Sequence, residues 1–385
     1  MSTEQPALPG VDHADLHDLN RGFEAARLTQ ARHLAGLTKK QVADAIGVTA
    51  AAVGQYETGS NKPRPELIGS LAAVLDVPAN FFLAGRPIGT LDASMAHFRA
   101  LRSTSGAQRN RALGYAGQVW ELTHALEKRV RLPLVNLPGF AGGEVHPGTE
   151  LPAEPIAAAR ALRQHWGLGQ GPVGHLVRRM ESHGIVVVSP PVDNALSKVD
   201  AFASAGLPRP LAIITANRAD DVYRYRFSAA HELGHLVLHA TATGDAQQER
   251  EADTFAAEFL TPRNSILPVL PRRLDFTQLA TLSRTWGVSV HSLVYRCREL
   301  GLISDSTASR AYQRLRGLRQ QPGFSPEPVS HFPGEQPIML RSAFELAEQD
   351  TGLTIRDLAH ELAWKPARVR ELLGLPDTRP VLRLV

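Results

Sequence analysis

The strongest chemical signal in the sequence is a pair of histidines with a glutamate directly after the first: His231, Glu232 and His235. On a helix, positions i and i+4 lie on one face, so both imidazoles can bind one metal ion. Glu232 is rotated by about 100° from His231, where it can hold a water molecule and take its proton. Bound zinc lowers the pKa of such a water to about 7. The pattern therefore predicts Zn²⁺-dependent hydrolysis with Glu232 as the catalytic general base.

A second acidic segment supplies the remaining groups of the predicted zinc site. Catalytic zinc takes three protein ligands and keeps one position open. Glu249 and Asp253 share a helix face at i and i+4. We predict Glu249 as the third metal ligand and Asp253 as the hydrogen-bond partner that fixes the tautomer of a ligand histidine. Glu251 is the competing third ligand, on another face of the same helix.

His239 lies one further i+4 step along the first helix. One straight helix cannot place three histidines around one tetrahedral metal, so we predict a packing or capping role for His239. The surrounding pattern predicts buried strands at 185–188 and 211–215, followed by a helix that starts near Ser228, with Ser228 as its N-cap.

A different pattern stands near the N-terminus. Thr38 with Gln41 three residues later predicts a capping box at the start of a helix, and Gly47 predicts a tight turn after it. Thr49 is predicted to cap a second helix, 50–57. Two short helices joined by such a turn indicate a helix–turn–helix motif.

These residues resemble the helix–turn–helix of the Xre/Cro repressor family, over about 23–83. The family places the second helix of the motif in the major groove of double-stranded DNA. The resemblance implies that Thr49 contacts DNA at the start of the second helix and that Ala50, Ala51 and Gln55 on this helix face base edges. It also implies that three cations contact phosphates: Lys39, Lys62 and Arg64.

The residues around the histidine pair resemble the ImmA/IrrE family of metallopeptidases. The matching segments are 227–228, 231–239 and 249–262, and the resemblance covers about 156–271. It implies an α+β zincin-like zinc peptidase fold of the thermolysin-like kind. It also implies a protein substrate, an Xre-type repressor that is cut to release a stress or mobile-element response.

Length, composition and charge set the frame for these motifs. The chain has 385 residues, which indicates two or three domains. The net charge of +4 permits a nucleic-acid partner without arguing for one. Cys297 is the only cysteine, so an internal disulfide and a cysteine-based metal site are excluded. Residues 1–10 show no signal-peptide pattern, and no apolar run is long enough for a membrane span, so we expect a cytoplasmic protein with no membrane partner.

The predicted fold class is multidomain: an all-α helix–turn–helix domain, an α+β zincin-like metallopeptidase domain and an α-helical C-terminal region. The predicted segments are a DNA-binding domain, a basic helical connector, a Pro/Gly-rich linker, a peptidase core and a helical C-terminal region: 20–84, 85–131, 132–155, 156–271 and 272–385. The last region starts a helix at 354–357 with a capping-box pattern and continues as a helix pair. A helix–turn–helix-like dimerisation module and a generic helical cap on the peptidase both stay open for it. No long internal repeat is visible: the two terminal helical runs each have a helix–turn–helix-like texture, but they are not copies of one another.

Together these patterns predict a DNA-binding regulatory zinc metallopeptidase that hydrolyses a peptide bond in an Xre-type repressor. The alternative is a transcriptional regulator whose peptidase-like domain senses a small molecule or metal without proteolysis. The sequence leaves homodimer formation open.

Overall fold

The structure is a computed structural model of the 385-residue chain. It describes residues 20–89, 91, 96–98, 105–141, 144–145, 151–190, 201–215, 220–241, 245–318, 321 and 324–376. The N-terminal segment 1–10 and parts of the predicted connector and linker lie outside the described residues. The chain divides into two compact units: unit 1 comprises 1–91, 104–131 and 341–385, and unit 2 comprises 92–103 and 132–340. This division into two units does not test the five segments predicted from the sequence, whose boundaries stay predictions.

Unit 1 is helical. Its helices are α1 (Ala25–Ala35), α2 (Lys39–Ile46), α3 (Ala50–Thr58), α4 (Pro65–Val74) and α5 (Gly106–Glu127), with α14 (Met339–Thr351), α15 (Ile355–Leu362) and α16 (Pro366–Leu372) near the C-terminal end. A 3₁₀ turn, Ala79–Phe82, follows α4. The predicted local signals hold: Thr38 and Gln41 form a complete capping box, Thr49 caps α3, and Gly47 adopts a left-handed conformation with φ 70°.

A buried ion pair joins the N-terminal helices to α5. The Arg27 guanidinium donates to both carboxylate oxygens of Glu121 at 2.7 and 2.8 Å, and both side chains are almost completely buried. Gln30 adds a third bond to the same carboxylate at 2.7 Å. Removing one member would leave a buried charge without its counter-charge, which costs about 3–5 kcal/mol. The connector helix is therefore a structural part of the helix–turn–helix unit.

The C-terminal helices adopt the helix–turn–helix geometry that their sequence texture predicts. Thr354 and Asp357 form a capping box at the start of α15, as Thr38 and Gln41 do for α2. Three residues separate α15 from α16, as three separate α2 from α3. Ala363 is left-handed, with φ 51°, at the position of Gly47. The likeness covers the cap, the turn and the buried positions, whereas most of the exposed residues differ.

Unit 2 contains the sheet and the remaining helices. The helices are α6 (Pro155–His165), α7 (Leu176–Ser182), α8 (Val222–Leu238), α9 (Ala246–Leu260), α10 (Arg263–Ile266), α11 (Phe276–Trp286), α12 (Val290–Glu299) and α13 (Asp305–Leu318). The strands are β1 (Ala96–Phe98), β2 (Phe140–Ala141), β3 (Glu144–Val145), β4 (Val186–Val188), β5 (Ala201–Ser204) and β6 (Leu211–Ile214).

Four strands form a mixed sheet in the order β1-β5-β6-β4. The predicted strands β4 and β6 pair in parallel, with Val186 opposite Leu211. The intervening β5 is antiparallel to β6, with Ala201 opposite Ile214, and β1 is antiparallel to β5. All residues of β4, β5 and β6 are buried. The predicted order of an all-α region, an α+β region and a helical C-terminal region is confirmed. No helix within the described ranges combines the length and hydrophobicity needed to cross a membrane.

The helix that carries the histidine pair begins earlier than predicted. Its N-cap is Asp221, whose side chain accepts from the backbone N–H of Tyr223, and α8 runs from Val222 to Leu238. Ser228 lies inside the helix and is buried, so the prediction that Ser228 caps it is wrong. The segment before Ser228 is rich in aromatic residues of low helix propensity, but tertiary contacts stabilise it in the helix. Arg226, for example, pairs with Glu335 and donates to the backbone carbonyl of Gly287 at 2.8 Å.

Glu181 at the end of α7 is a buried carboxylate with an uneven environment. Its Oε1 accepts from the backbone N–H groups of Ile338 and Met339 at 2.9 and 2.8 Å. Its Oε2 has no hydrogen-bond partner within the described part of the chain. Burial is the main cause that raises the pKa of Glu181 from 4.5 to about 7, although the two backbone bonds oppose the shift.

We therefore expect Glu181→Gln to change the pH dependence of stability. Because the folded-state pKa is raised, the native state is favoured while Glu181 is protonated and loses that advantage as the pH rises through about 7. Relative to wild type, the variant should gain about 2 kcal/mol in unfolding free energy between pH 5.5 and pH 8. Denaturant unfolding of both proteins across this range measures the difference. A difference that stays constant with pH would contradict the assignment.

Candidate metal centre and DNA-contacting surface

The histidine pair lies at the contact between α8 and α9. Gly234, between the two histidines, faces α9 so closely that a Cβ atom there would stand 3.1 Å from the Phe255 ring and 3.2 Å from the Ala252 Cα. Glycine at this position lets the two backbones approach each other. The approach brings the first turns of α9, which carry the acidic segment, beside His231 and His235.

The structure brings together the three predicted ligands. A nitrogen or oxygen of His231, His235 and Glu249 lies within 4.8 Å of each of the others, and this is the metal-capable group found among the described residues. The two Nε2 atoms are 3.1 Å apart, and each lies 3.5 Å from an oxygen of Glu249. Tetrahedral zinc with bonds of about 2.05 Å separates its ligand atoms by about 3.3 Å. The donor types and their spacing therefore fit a zinc ion.

The other ring nitrogens of the two histidines are also held. His231 Nδ1 lies 2.8 Å from an oxygen of Asp253, which is the partner predicted for a ligand histidine. His235 Nδ1 lies 2.9 Å from His239 Nδ1, and His239 Nε2 lies 3.0 Å from Glu251. Both ligand rings are thus oriented so that their Nε2 atoms meet Glu249.

His239 has a role that the sequence suggested only in part. It is the C-cap residue of α8 and is buried, as a capping or packing role would require. In addition, it links His235 to Glu251. The competing ligand Glu251 therefore contacts His239, while Glu249 contacts the two ligand histidines. The only sequence signal for this link was the i+4 spacing of His235 and His239.

The ionisation states suit a metal centre. Burial is the largest cause that lowers the pKa of His235 to about 4, so the ring is neutral at physiological pH. Burial alone would raise the pKa of Glu249, but hydrogen bonds from His231 and His235 outweigh it and lower the pKa to about 2. Neutral imidazole and ionised carboxylate are the forms that bind metal. Glu232 is fully buried in α8 beside these ligands.

A cleft of about 700 Å³ adjoins the same site in unit 2. Asp253 lines it, together with aromatic side chains and arginines, among them Phe227, Tyr312, Arg224 and Arg316. An apolar cleft with a few charged groups is the usual form of a small-molecule or side-chain pocket. Asp253, which contacts His231, is the residue of the metal site that lines the cleft; the three predicted ligands do not line it.

The predicted DNA-contacting residues lie on and around α3. Ala50, Ala51 and Gln55 are exposed, opposite the buried Val53 and Tyr56. Thr49 is exposed at the start of the helix, where its hydroxyl accepts from the Ala52 N–H at 3.1 Å.

The three predicted phosphate contacts are exposed but differ in their surroundings. Lys39 pairs with Glu57 at 3.2 Å. Lys62 donates to the backbone carbonyl of Arg21 at 2.8 Å. Arg64 is the N-cap residue of α4. Lys39 is thus partly neutralised, and Lys62 and Arg64 carry most of the charge available to phosphate.

Comparison with known proteins agrees with both halves of this description. Residues 25–80 match the model of a helix-turn-helix domain, and residues 180–298 match that of the Peptidase M78 family, described as an IrrE N-terminal-like domain. The chain thus combines a helix–turn–helix DNA-binding domain with an IrrE/ImmA-like peptidase domain, as the sequence resemblances predicted. It is similar to proteins described as uncharacterized HTH-type transcriptional regulators in Sinorhizobium medicae (strain WSM419) and Rhizobium meliloti (strain 1021). Each is 26% identical over 96 residues, which span 23% of this chain and 69% of the relative.

The assignment of the third ligand gives a matched pair of variants. Glu249→Gln should weaken zinc binding by about 100-fold or more, because it removes a ligand rather than the support of one. Glu251→Gln removes the same charge two residues away and should retain zinc near one ion per chain. Competition with a chromogenic chelator measures both affinities, with His235→Ala as the reference for a lost ligand. A larger loss in the Glu251 variant would reverse the assignment.

Proposed function

We propose that this protein is a DNA-binding regulatory zinc metallopeptidase that hydrolyses a peptide bond in a regulatory protein, an Xre-type repressor. The observation that carries the proposal is the cluster of His231, His235 and Glu249 at zinc-ligand spacing, with Glu232 buried beside it. The helix–turn–helix domain would place the peptidase at the DNA sites where such repressors act. A protein that works on chromosomal DNA in a bacterium works in the cytoplasm, which is the location we propose.

Each residue of the site has a separate task in the proposed reaction. His231, His235 and Glu249 would hold the zinc. Zinc, when bound, lowers the pKa of water to about 7 and polarises the substrate carbonyl. Glu232 accepts the proton of the attacking water and later delivers it to the leaving amine nitrogen. Asp253 and His239 fix the orientation of the two ligand rings and take no part in bond breaking.

A second candidate function is favoured by the cleft beside Asp253. A regulator that senses a small molecule would need such a cavity, and a ligand there would lie next to the residue that orients His231. In this alternative the zinc site is structural or sensory and no peptide bond is cut. The intact Glu232 favours the peptidase, because a sensor has no need of a general base, although the intact metal ligands would serve a zinc sensor as well.

We expect Glu232→Gln to separate peptidase from sensor. Glutamine keeps the size of the side chain and removes its basicity, so zinc content and DNA binding should match wild type. Cleavage of the repressor should fall by about 10²–10⁴-fold, since that is the usual contribution of a general base. In cells, genes controlled by the repressor should stay silent.

The measurement is cleavage of purified Xre-type repressors from the same organism, together with a reporter for the controlled genes. Glu251→Gln is the control for a lost carboxylate on the same site. Normal induction by the Glu232 variant at wild-type protein level would show that proteolysis is not the function.

The DNA-binding half makes its own prediction. Lys62→Ala combined with Arg64→Ala should lower the slope of log affinity against log salt by about 2, because each lost phosphate contact releases about one fewer counterion. Gln55→Ala should lower the affinity for a preferred sequence more than the affinity for mixed-sequence DNA, since a glutamine can form two hydrogen bonds with adenine. Fluorescence anisotropy over a salt series measures both effects. Salt slopes equal to that of wild type would show that this surface does not contact DNA.

A further inference from the structure

The C-terminal helix–turn–helix, residues 353–373, is covered by neither of the two matched family models. The sequence of its two helices aligns with that of α2 and α3 without insertion or deletion. Identical residues stand at matching places: Leu37 and Leu353, Thr38 and Thr354, Ala43 and Ala359, Ala51 and Ala367, Val53 and Val369. Val53 and Val369, the last pair, are both fully buried. The two motifs therefore share a cap residue and a pattern of buried positions.

The equivalence defines which face of α16 corresponds to the DNA-facing side of α3. On α16, Val369 and Leu372 are buried, as Val53 and Tyr56 are on α3. Lys365, Pro366 and Ala367 are exposed, at the places of Thr49, Ala50 and Ala51. Glu371 stands where α3 has Gln55 and pairs with Arg368, while the half-buried Arg370 stands where α3 has Gly54. α16 thus carries a long cation where the first motif has no side chain at all.

Tertiary contacts hold one flank of α16 and leave this face open. Arg368 lies over the ring of Tyr115, 4.8 Å from its centroid, and donates to Gln118 at 2.7 Å. Both partners belong to α5. The contact fixes the motif in unit 1 through residues that lie beside the exposed stretch 365–367, so the face that corresponds to the DNA-facing side is not used for internal packing.

The acidic side chains of this motif are already paired within the described part of the protein, whereas some of its basic side chains are not. Every acidic side chain of α15 and α16 is engaged: Asp357 by the Thr354 cap, Glu361 by Lys128 and Arg129, Glu371 by Arg368. Arg356 and Arg370 form no ion pair within the described residues.

Lys365 pairs with Asp76, but both side chains are largely exposed. Exposed pairs contribute about 0–1 kcal/mol and exchange readily. The surface therefore presents three cations available to an anionic partner.

We propose that the C-terminal motif is a second DNA-contacting element of this chain. In this arrangement α16 lies in the major groove of double-stranded DNA. Arg370, next to the Glu371 that takes the place of Gln55, reaches a base edge, where an arginine can bind guanine with two hydrogen bonds. Arg356 and Lys365 contact phosphates on either side. The inference rests on the proposed DNA-binding function and extends it from one contact surface to two in a single chain.

The test compares full-length variants on a mixed-sequence duplex of about 40 base pairs, over a salt series that starts at about 50 mM. The triple variant Arg356→Ala, Lys365→Ala and Arg370→Ala should lower the salt slope by about 2–3. A control triple, Arg272→Ala, Arg273→Ala and Arg310→Ala, removes the same charge from exposed positions of unit 2 and should leave the slope unchanged. Thermal unfolding verifies that each variant is folded.

Selection from a random duplex pool gives the second measurement. Wild type should enrich two separate sequence elements, Arg370→Ala should lose one of them, and Gln55→Ala should lose the other.

Three results would overturn the inference. If the first-motif variants lose affinity while the C-terminal triple binds like wild type, the second contact is wrong and the proposed function stands. If the triple variant changes only the oligomeric state in sedimentation, the surface is a protein interface. If wild type fails to bind any duplex at low salt, the DNA-binding function itself is wrong.

Discussion

The contact between α8 and α9 is the constraint on which the metal centre depends. Glu249, Glu251 and Asp253 occupy alternate positions near the start of α9. Glu249 reaches both His231 and His235, Asp253 reaches His231, and Glu251 reaches His239. Gly234 favours this close approach of the two helices, because a Cβ atom there would stand 3.2 Å from the Ala252 Cα. A wider separation would leave the carboxylates at a distance from the imidazoles. The glycine inside the histidine pair is therefore as much a part of the site as the ligands, although it carries no chemistry.

The site is also organised electrostatically around a short chain of imidazoles and carboxylates. Burial keeps His235 neutral, and the neighbouring histidines keep Glu249 ionised. The carboxylates of Asp253 and Glu251 lie at the two ends of this chain of side chains. Asp253 contacts His231 directly, and Glu251 supports His235 through His239. Such supports fix tautomer and ring direction, which raises metal affinity without adding a ligand. The same neighbourhood opens into the cleft lined by Asp253, so any molecule in that cleft would lie close to the group that orients His231.

Local signals in the sequence predicted those parts of the structure that are decided locally. The capping box at Thr38, the turn at Gly47 and the i+4 relation of His231 and His235 depend on a few neighbouring residues. Features decided by distant contacts were missed. The strand β5 is short and lies between β1 and β6, so its existence depends on pairing rather than on its own residues. The start of α8 was misplaced because Arg226 is stabilised by Glu335, far along the chain. The C-terminal motif was recognised as a helix pair of helix–turn–helix-like character, although its left-handed turn position holds Ala363 and no glycine marks it.

Anomalous diffraction at the zinc edge from crystals of the zinc-loaded protein locates the metal. We expect one strong peak per chain, about 2.0–2.2 Å from Nε2 of His231, Nε2 of His235 and a carboxylate oxygen of Glu249. A peak between His239 and Glu251, or an absence of any peak at these helices in protein that retains stoichiometric zinc, would contradict this expectation.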